Sequence, residues 1–179
     1  MSAWRCMARV VVRVEEDALN PEALRNQIDT EGCGSVVTFV GLTRGLEDRV
    51  EVEKLEFDAW EEMLPSVLQR LGLEAVEIFS VHSVVVAHRT GAVHPQEPIV
   101  CIHVGSPHRT EGFEACSWLI SELKSQAPLW KKEVRADGIQ CVVVEVGGCV
   151  GIQSISQVSC VPVSYTHLRA HETLRYLVC

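Results

Sequence analysis

The sequence predicts an α+β fold: a mixed sheet with about three helices, not a repeating βαβ unit. Two patterns lead there. β-Branched runs come in clusters, and helical-period segments fall between the clusters instead of alternating with single strands. The composition agrees with one soluble globular unit, because 179 residues with 47% hydrophobic and 22% charged side chains are ordinary values for such a chain.

The elements follow in order. Residues 8–14 read as a β-branched strand. Asn20 then Pro21 is an N-cap followed by a helix-start proline, with Leu24 and Ile28 on one face. A second strand covers 36–40 and ends at Gly41. The charged stretch 43–49 reads as a mobile loop. Val50 and Val52 alternate, and Leu55 and Phe57 alternate one position out of phase, which predicts a bulge near Glu53 and Lys54. From Trp60 the period becomes helical through Met63, Leu64, Val67, Leu68 and Leu71, with Pro65 either kinking the helix or marking its true start. Residues 76–87 and 99–104 are strongly β. The last helix is expected to take Ser106 as N-cap and Pro107 as its first residue, to present Cys116, Leu119, Ile120 and Leu123 to the core, and to stop at Pro128.

The folded unit is expected to span residues 1–139. All four lysines and all four tryptophans lie there, whereas both tyrosines lie beyond it. Residues 140–179 read as a divergent tail, either disordered or never selected to fold. Within it, 142–150 suits a strand hairpin, and Ser164–Thr173, SYTHLRAHET, resembles translated adapter read-through.

Several function classes drop out. No stretch of 18 apolar residues exists, so no membrane-spanning helix is expected. Arg5, Arg9 and Arg13 interrupt the N-terminal region, so a cytoplasmic protein is expected. A net charge of −8 argues against nucleic-acid or anionic-membrane partners but leaves room for a small basic pocket. The eight cysteines show no C-x2-C spacing and read as reduced thiols. G-x-S-x-G, P-loop and G-x-G-x-x-G patterns are absent.

Two cationic clusters remain. His108 and Arg109 stand at the start of the last helix, where positive charge opposes the dipole, so with free backbone N–H groups they suggest an anion site; capping a buried acid is the plainer explanation. Lys124, Lys131 and Lys132 stand at its other end, where lysines suit both the dipole and solvent. Arg109 and Lys124 are 15 positions apart, roughly 22 Å along a helix. If both clusters serve one small ligand, a two-fold dimer must bring one protomer's His108 and Arg109 beside its partner's lysines. As a rival reading, His82, His88, His94 and His103 offer a histidine metal site, with His82 and His88 on one strand face by parity; core histidines are the plainer reading.

Five blocks then occur in order: VVTFVGLTRG (36–45), LEFDAWEEM (55–63), HRTG (88–91), Ser106-x-His108-Arg109 leading to Phe113-Glu114-Ala115, and LKSQAPLWKKE (123–133). Together they resemble the catalytic (large) subunit family of molybdopterin synthase over roughly residues 8–138. The resemblance implies an α/β-hammerhead fold and a homodimer carrying a small ubiquitin-like sulfur-carrier subunit at each end, a heterotetramer. It implies conversion of cyclic pyranopterin monophosphate to molybdopterin, with two sulfurs supplied by the thiocarboxylated C-terminal glycine of the carrier, and with no metal or cofactor in that step. The substrate site it implies comprises Leu42, Thr43, Arg44, His108, Arg109, Lys124, Lys131, Lys132 and Glu133, with Lys124 and Lys131 catalytic. Arg109, His108 and Arg44 suit the cyclic phosphate. Lys124, beside Lys131 in a partly desolvated pocket, suits proton transfer or stabilisation of an intermediate. Phe39 and Ile120 would wall the pterin or the carrier's tail. The chain departs from the family pattern from about Ile139, since 142–150 does not resemble the family's closing segment. An inactive scaffold that binds the carrier without turnover is the alternative. Retention of Arg44, His108, Arg109, Lys124 and Lys131 speaks against it.

Overall fold

Two sheets and three helices build the molecule, seen in a computed structural model that describes residues 8–47, 49–136, 140–146 and 149–155, with side chains described for 8–46 and 49–136. The first sheet contains β1 (Arg9–Glu15), β2 (Ser35–Leu42), β5 (Ser83–Arg89) and β7 (Pro98–Ser106) in the order β1-β5-β7-β2. Only β1 and β5 run parallel in it, so the sheet is mixed. The second sheet contains β3 (Leu46–Glu47), β4 (Val50–Ala59), β6 (Gly91–Val93), β8 (Leu129–Arg135), β9 (Gln140–Val146) and β10 (Cys149–Ile155); its order is β10-β9-β8-β4-β3, with β6 also on β4. The bulge expected at Glu53 and Lys54 is present, because the β4–β8 register shifts between Val52 and Lys54.

Helix α1 (Pro21–Arg25) starts as expected: Asn20 Oδ1 accepts the Ala23 N–H at 3.0 Å and Pro21 takes the first turn. It covers one face of the first sheet, packing Leu24 and Ile28 over Val85, Ala87 and Cys101. Helices α2 (Leu64–Phe79) and α3 (Arg109–Gln126) cover the other face. There Leu64, Leu68, Leu71 and Ala75 of α2, and Cys116, Leu119 and Leu123 of α3, pack on Val84, Val86, Ile102 and Val104. Each buried Leu or Ile contributes about 1.5–3 kcal/mol of apolar transfer, so this layer is what holds the long helices to the sheet.

Pro65 marks the true start of α2, one of the two readings offered for it, so Trp60 and Met63 precede the helix and stay exposed. The structure differs from the sequence reading in three places. Residues 76–79 finish α2 instead of opening a strand, because Ala75, Val76 and Phe79 prolong its buried stripe; β propensity yields to packing there. The helix ends at Ser80, in the left-handed region at φ 54. Residues 43–47 are held by backbone bonds where a mobile loop was expected: the Thr43 N–H donates to Glu97 O, Thr43 O accepts from the Gln96 N–H, and Leu46–Glu47 pairs with 50–51. Finally, α3 begins two residues later than expected. Ser106 is still in the ladder opposite Ser35, so its backbone is extended, and its Oγ donates to His108 O at 2.8 Å. His108 becomes the N-cap and Arg109 the first helical residue.

The hairpin expected at 142–150 is β9 and β10, whose backbones pair antiparallel, and β9 pairs with β8 beyond the expected boundary at 139. Ser164–Thr173 lies outside the described residues. Gly34 closes the approach to the His108 turn: its N–H donates to Ser106 O at 2.9 Å, and a Cβ there would collide with the Pro107 carbonyl oxygen, so only glycine fits.

Candidate functional site

A cavity of about 360 Å³ lies where the C-terminal half of α3 crosses between the sheets. Strand alternation decides what enters it. On β8, Leu129, Lys131 and Glu133 point inward, opposite Phe57 and Leu55 of β4, while Lys132 points away. Phe39 from β2 and Ile120 from α3 form apolar wall of this cavity. Leu42, Thr43 and Arg44 close one side where β2 runs into the turn toward β3, and Lys124 stands on the last turn of α3.

Six of the nine expected site residues therefore meet in one place: Leu42, Thr43, Arg44, Lys124, Lys131 and Glu133. Three do not. Lys132 lies on the outer face, 3.1 Å from Glu56, which also binds Lys54 at 2.7 Å. Together these lysines hold the Glu56 carboxyl below its usual range, chiefly through their hydrogen bonds. His108 and Arg109 are exposed at the opposite end of α3. A single unbroken helix separates them from Lys124, so one protomer cannot fold both ends onto a small molecule.

Charge grades from rim to floor. Arg44 and Lys124 are exposed, and no carboxylate pairs with Lys124 among the described residues. Lys131 lies deeper, 3.8 Å from Glu133. The Glu133 carboxylate is only 3% exposed and also accepts from Arg135 Nε at 2.7 Å. At the floor is His88, a residue considered earlier only as a metal ligand or core histidine. Its parity with Val84 and Val86, which face α2 and α3, is the sequence signal that places it here.

The four histidines do not converge. His88 faces the cavity, whereas His103 lies on the α1 face with its Nδ1 3.1 Å from Thr38 Oγ1. His82 precedes β5, its ring beside Gly32, and so does not share the face of His88. The His94 N–H donates to Glu97. Among the described residues no group of three or more His, Cys, Asp or Glu is placed to hold a metal ion. Cys101 and Cys116 are buried, and burial pushes both thiols up to about 11, so they act as apolar core.

Burial lowers the His88 imidazole to about 4, against a smaller opposing effect of its bond to Arg89 O. Unfolding returns it to the ordinary 6.5, so between these values the unfolded chain binds a proton that the folded chain does not. Stability is therefore full above about pH 6.5 and falls by roughly 3 kcal/mol as pH drops toward 4. His103, lowered by burial and by Arg25, acts in the same direction. Urea denaturation across that window should show the loss, and His88→Gln should flatten it; an equally steep profile in the variant would assign the dependence elsewhere.

Comparison with known proteins brings in an independent line. A family model described as "MoaE protein" matches residues 14–126. A protein of Thermoplasma volcanium called molybdopterin synthase catalytic subunit is 34% identical over 132 residues, covering 74% of this chain and 96% of that one. The crystal structure of molybdopterin synthase from Staphylococcus aureus aligns with a TM-score of 0.67 at 31% identity, over 70% of this chain and 92% of that one. A Helicobacter pylori complex of subunits 1 and 2 of molybdopterin-converting factor aligns at TM-score 0.59 over 70% of this chain and 86% of that one; at 22% identity it speaks for the fold.

Proposed function

The chain belongs to the MoaE protein family, as a molybdopterin synthase catalytic subunit, and on that premise we propose how its residues divide the work. The cyclic phosphate of the pyranopterin substrate is held by Arg44 of one protomer and by His108 and Arg109 of a second, through charge-assisted hydrogen bonds. The pterin or the carrier's tail lies along Phe39 and Ile120. Lys124 moves the proton, or stabilises the charged intermediate, as sulfur passes from the carrier's terminal thiocarboxylate to the pterin side chain. Lys131, held near Glu133 at 3.8 Å, is its electrostatic partner. Leu42, Thr43 and Glu133 support these positions rather than react, while Lys132, paired with Glu56 on the outer face, takes no part at this cavity.

The observation that carries this reading is the division of cations along α3. Arg44, Lys124 and Lys131 gather at one cavity, while His108 and Arg109 stand at the far end of the same helix. Such a site is complete only in a homodimer. The relatives' name, catalytic subunit, favours a further subunit as partner, which we take to be the small sulfur carrier, and with it a heterotetramer. A cytoplasmic setting suits this partner; no helix among the described residues is long and apolar enough to cross a membrane.

The test is direct. Purified protein, thiocarboxylated carrier and cyclic pyranopterin monophosphate should yield the dithiolene, and Lys124→Ala should lower the rate by about 100-fold or more. Failure of the wild-type chain to form product would overturn the activity, and full turnover by the variant would overturn the role of Lys124.

A further inference from the structure

The cavity contains one polar group that the division of work above leaves unused. His88 sits at the end of β5, 4% exposed, with its ring edge-on to Phe57 at a centroid distance of 5.5 Å and an interplanar angle of 74°. Its Nδ1 lies 2.8 Å from Arg89 O. A carbonyl oxygen can only accept, so Nδ1 carries the proton and Nε2, on the far edge of the ring, carries the lone pair.

The other polar side chains lining the cavity cannot supply an acceptor as readily. Arg44, Lys124 and Lys131 only donate. The Glu133 carboxylate already accepts from Arg135, and its charge is balanced by Lys131 at 3.8 Å. The Thr43 hydroxyl oxygen is sealed from solvent. An imidazole among three cations would be an acceptor only if it stayed neutral, and its burial ensures that.

We propose that Nε2 of His88 accepts a hydrogen bond from an N–H group of the reactant at the cavity floor, making His88 a positioning and specificity residue of the reaction. The inference rests on the substrate assignment above and deepens it. The cationic rim takes the anionic end of the ligand, and the floor requires a donor at the other end. A reactant offering only acceptors there would leave Nε2 facing a lone pair and would be rejected. Two N–H sources fit this chemistry: the pterin ring, or the terminal glycine amide of the carrier.

Long-range proton–nitrogen spectra of the histidine rings distinguish them. The full wild-type chain is titrated separately with cyclic pyranopterin monophosphate and with carrier in its carboxylate form. The Nε2 resonance missing from His88→Asn belongs to His88, and it should move with one of the two probes. Movement with the pterin assigns the donor to the heterocycle; movement with the carrier assigns it to the tail.

Kinetics supply the second readout. His88→Asn places an amide where Nδ1 was, so it keeps the bond to Arg89 O and removes the acceptor. His88→Gln places its amide where Nε2 was. The asparagine variant should raise KM for the responding reactant about tenfold with the melting temperature little changed, and the glutamine variant should recover most of that. A still resonance with both probes, or an asparagine variant with wild-type KM for both reactants, overturns the proposal. Should the resonance move while the wild-type chain makes no dithiolene, the activity fails and the acceptor role stands.

Discussion

Mixing Lys124→Ala protein with Arg109→Ala protein is expected to restore about a quarter of wild-type dithiolene formation, although each variant alone is nearly inactive. The figure follows from two-fold symmetry. Random exchange of protomers makes about half the dimers mixed. In each mixed dimer one site combines an intact Lys124 with the partner's intact Arg109, and the other site lacks both. The structure motivates this because Lys124 faces the cavity while Arg109 opens the same helix at its far end. The check is a titration at constant total protein after co-refolding, read as product formed. A mixture no more active than the average of its parts would mean that both clusters serve one protomer's site, or that only one of them serves it at all. Either result removes the shared site.

Glu133→Ala should be the most damaging single change near the cavity. The carboxylate is buried, accepts from Arg135 at 2.7 Å and faces Lys131 at 3.8 Å. Truncation removes the anion these two cations share and leaves a void opposite Leu55, its partner in the ladder. Breaking a buried pair from one side costs on the order of 3 kcal/mol, because positive charge is left in a poorly solvated place. In a domain of this size the melting temperature should fall by roughly 10 °C. Activity should fall further than stability accounts for, because Lys131 is then free to leave the cavity. Glu133→Gln, which keeps an acceptor of the same shape, should lose less of both. A wild-type melting temperature in the alanine variant would show that the pair contributes nothing net.

Local rules made much of the chain legible. The Asn20-Pro21 start of α1, the slip at Glu53 and Lys54, and the buried stripe of α3 each depend on neighbouring residues, through a cap, a two-residue period or a 3.6-residue period. The cationic residues were legible as types and spacings, and the 15 positions between Arg109 and Lys124 already meant that, if both serve one small ligand, a second protomer must supply one of them. Three-dimensional packing decided the rest. Residues 76–79 joined a helix because the core behind Leu71 and Ala75 reached further than their β-branched character indicated. His108 became the N-cap because Ser106 was still committed to the ladder with Ser35.

His88 shows the division most clearly. Its place in a strand was readable from sequence, and even its face followed by parity from Val84 and Val86. That this face would be a cavity floor was decided by β4 and β8, which bring Phe57, Lys131 and Glu133 to it from distant parts of the chain. Sequence by itself determined which side chains carry charge, which periods they follow and which family they resemble, since those properties are local to the chain. Tertiary structure alone decided which of them share a cavity, which lose their water and which turn to solvent, since desolvation depends on what packs against a group and not on its neighbours in sequence.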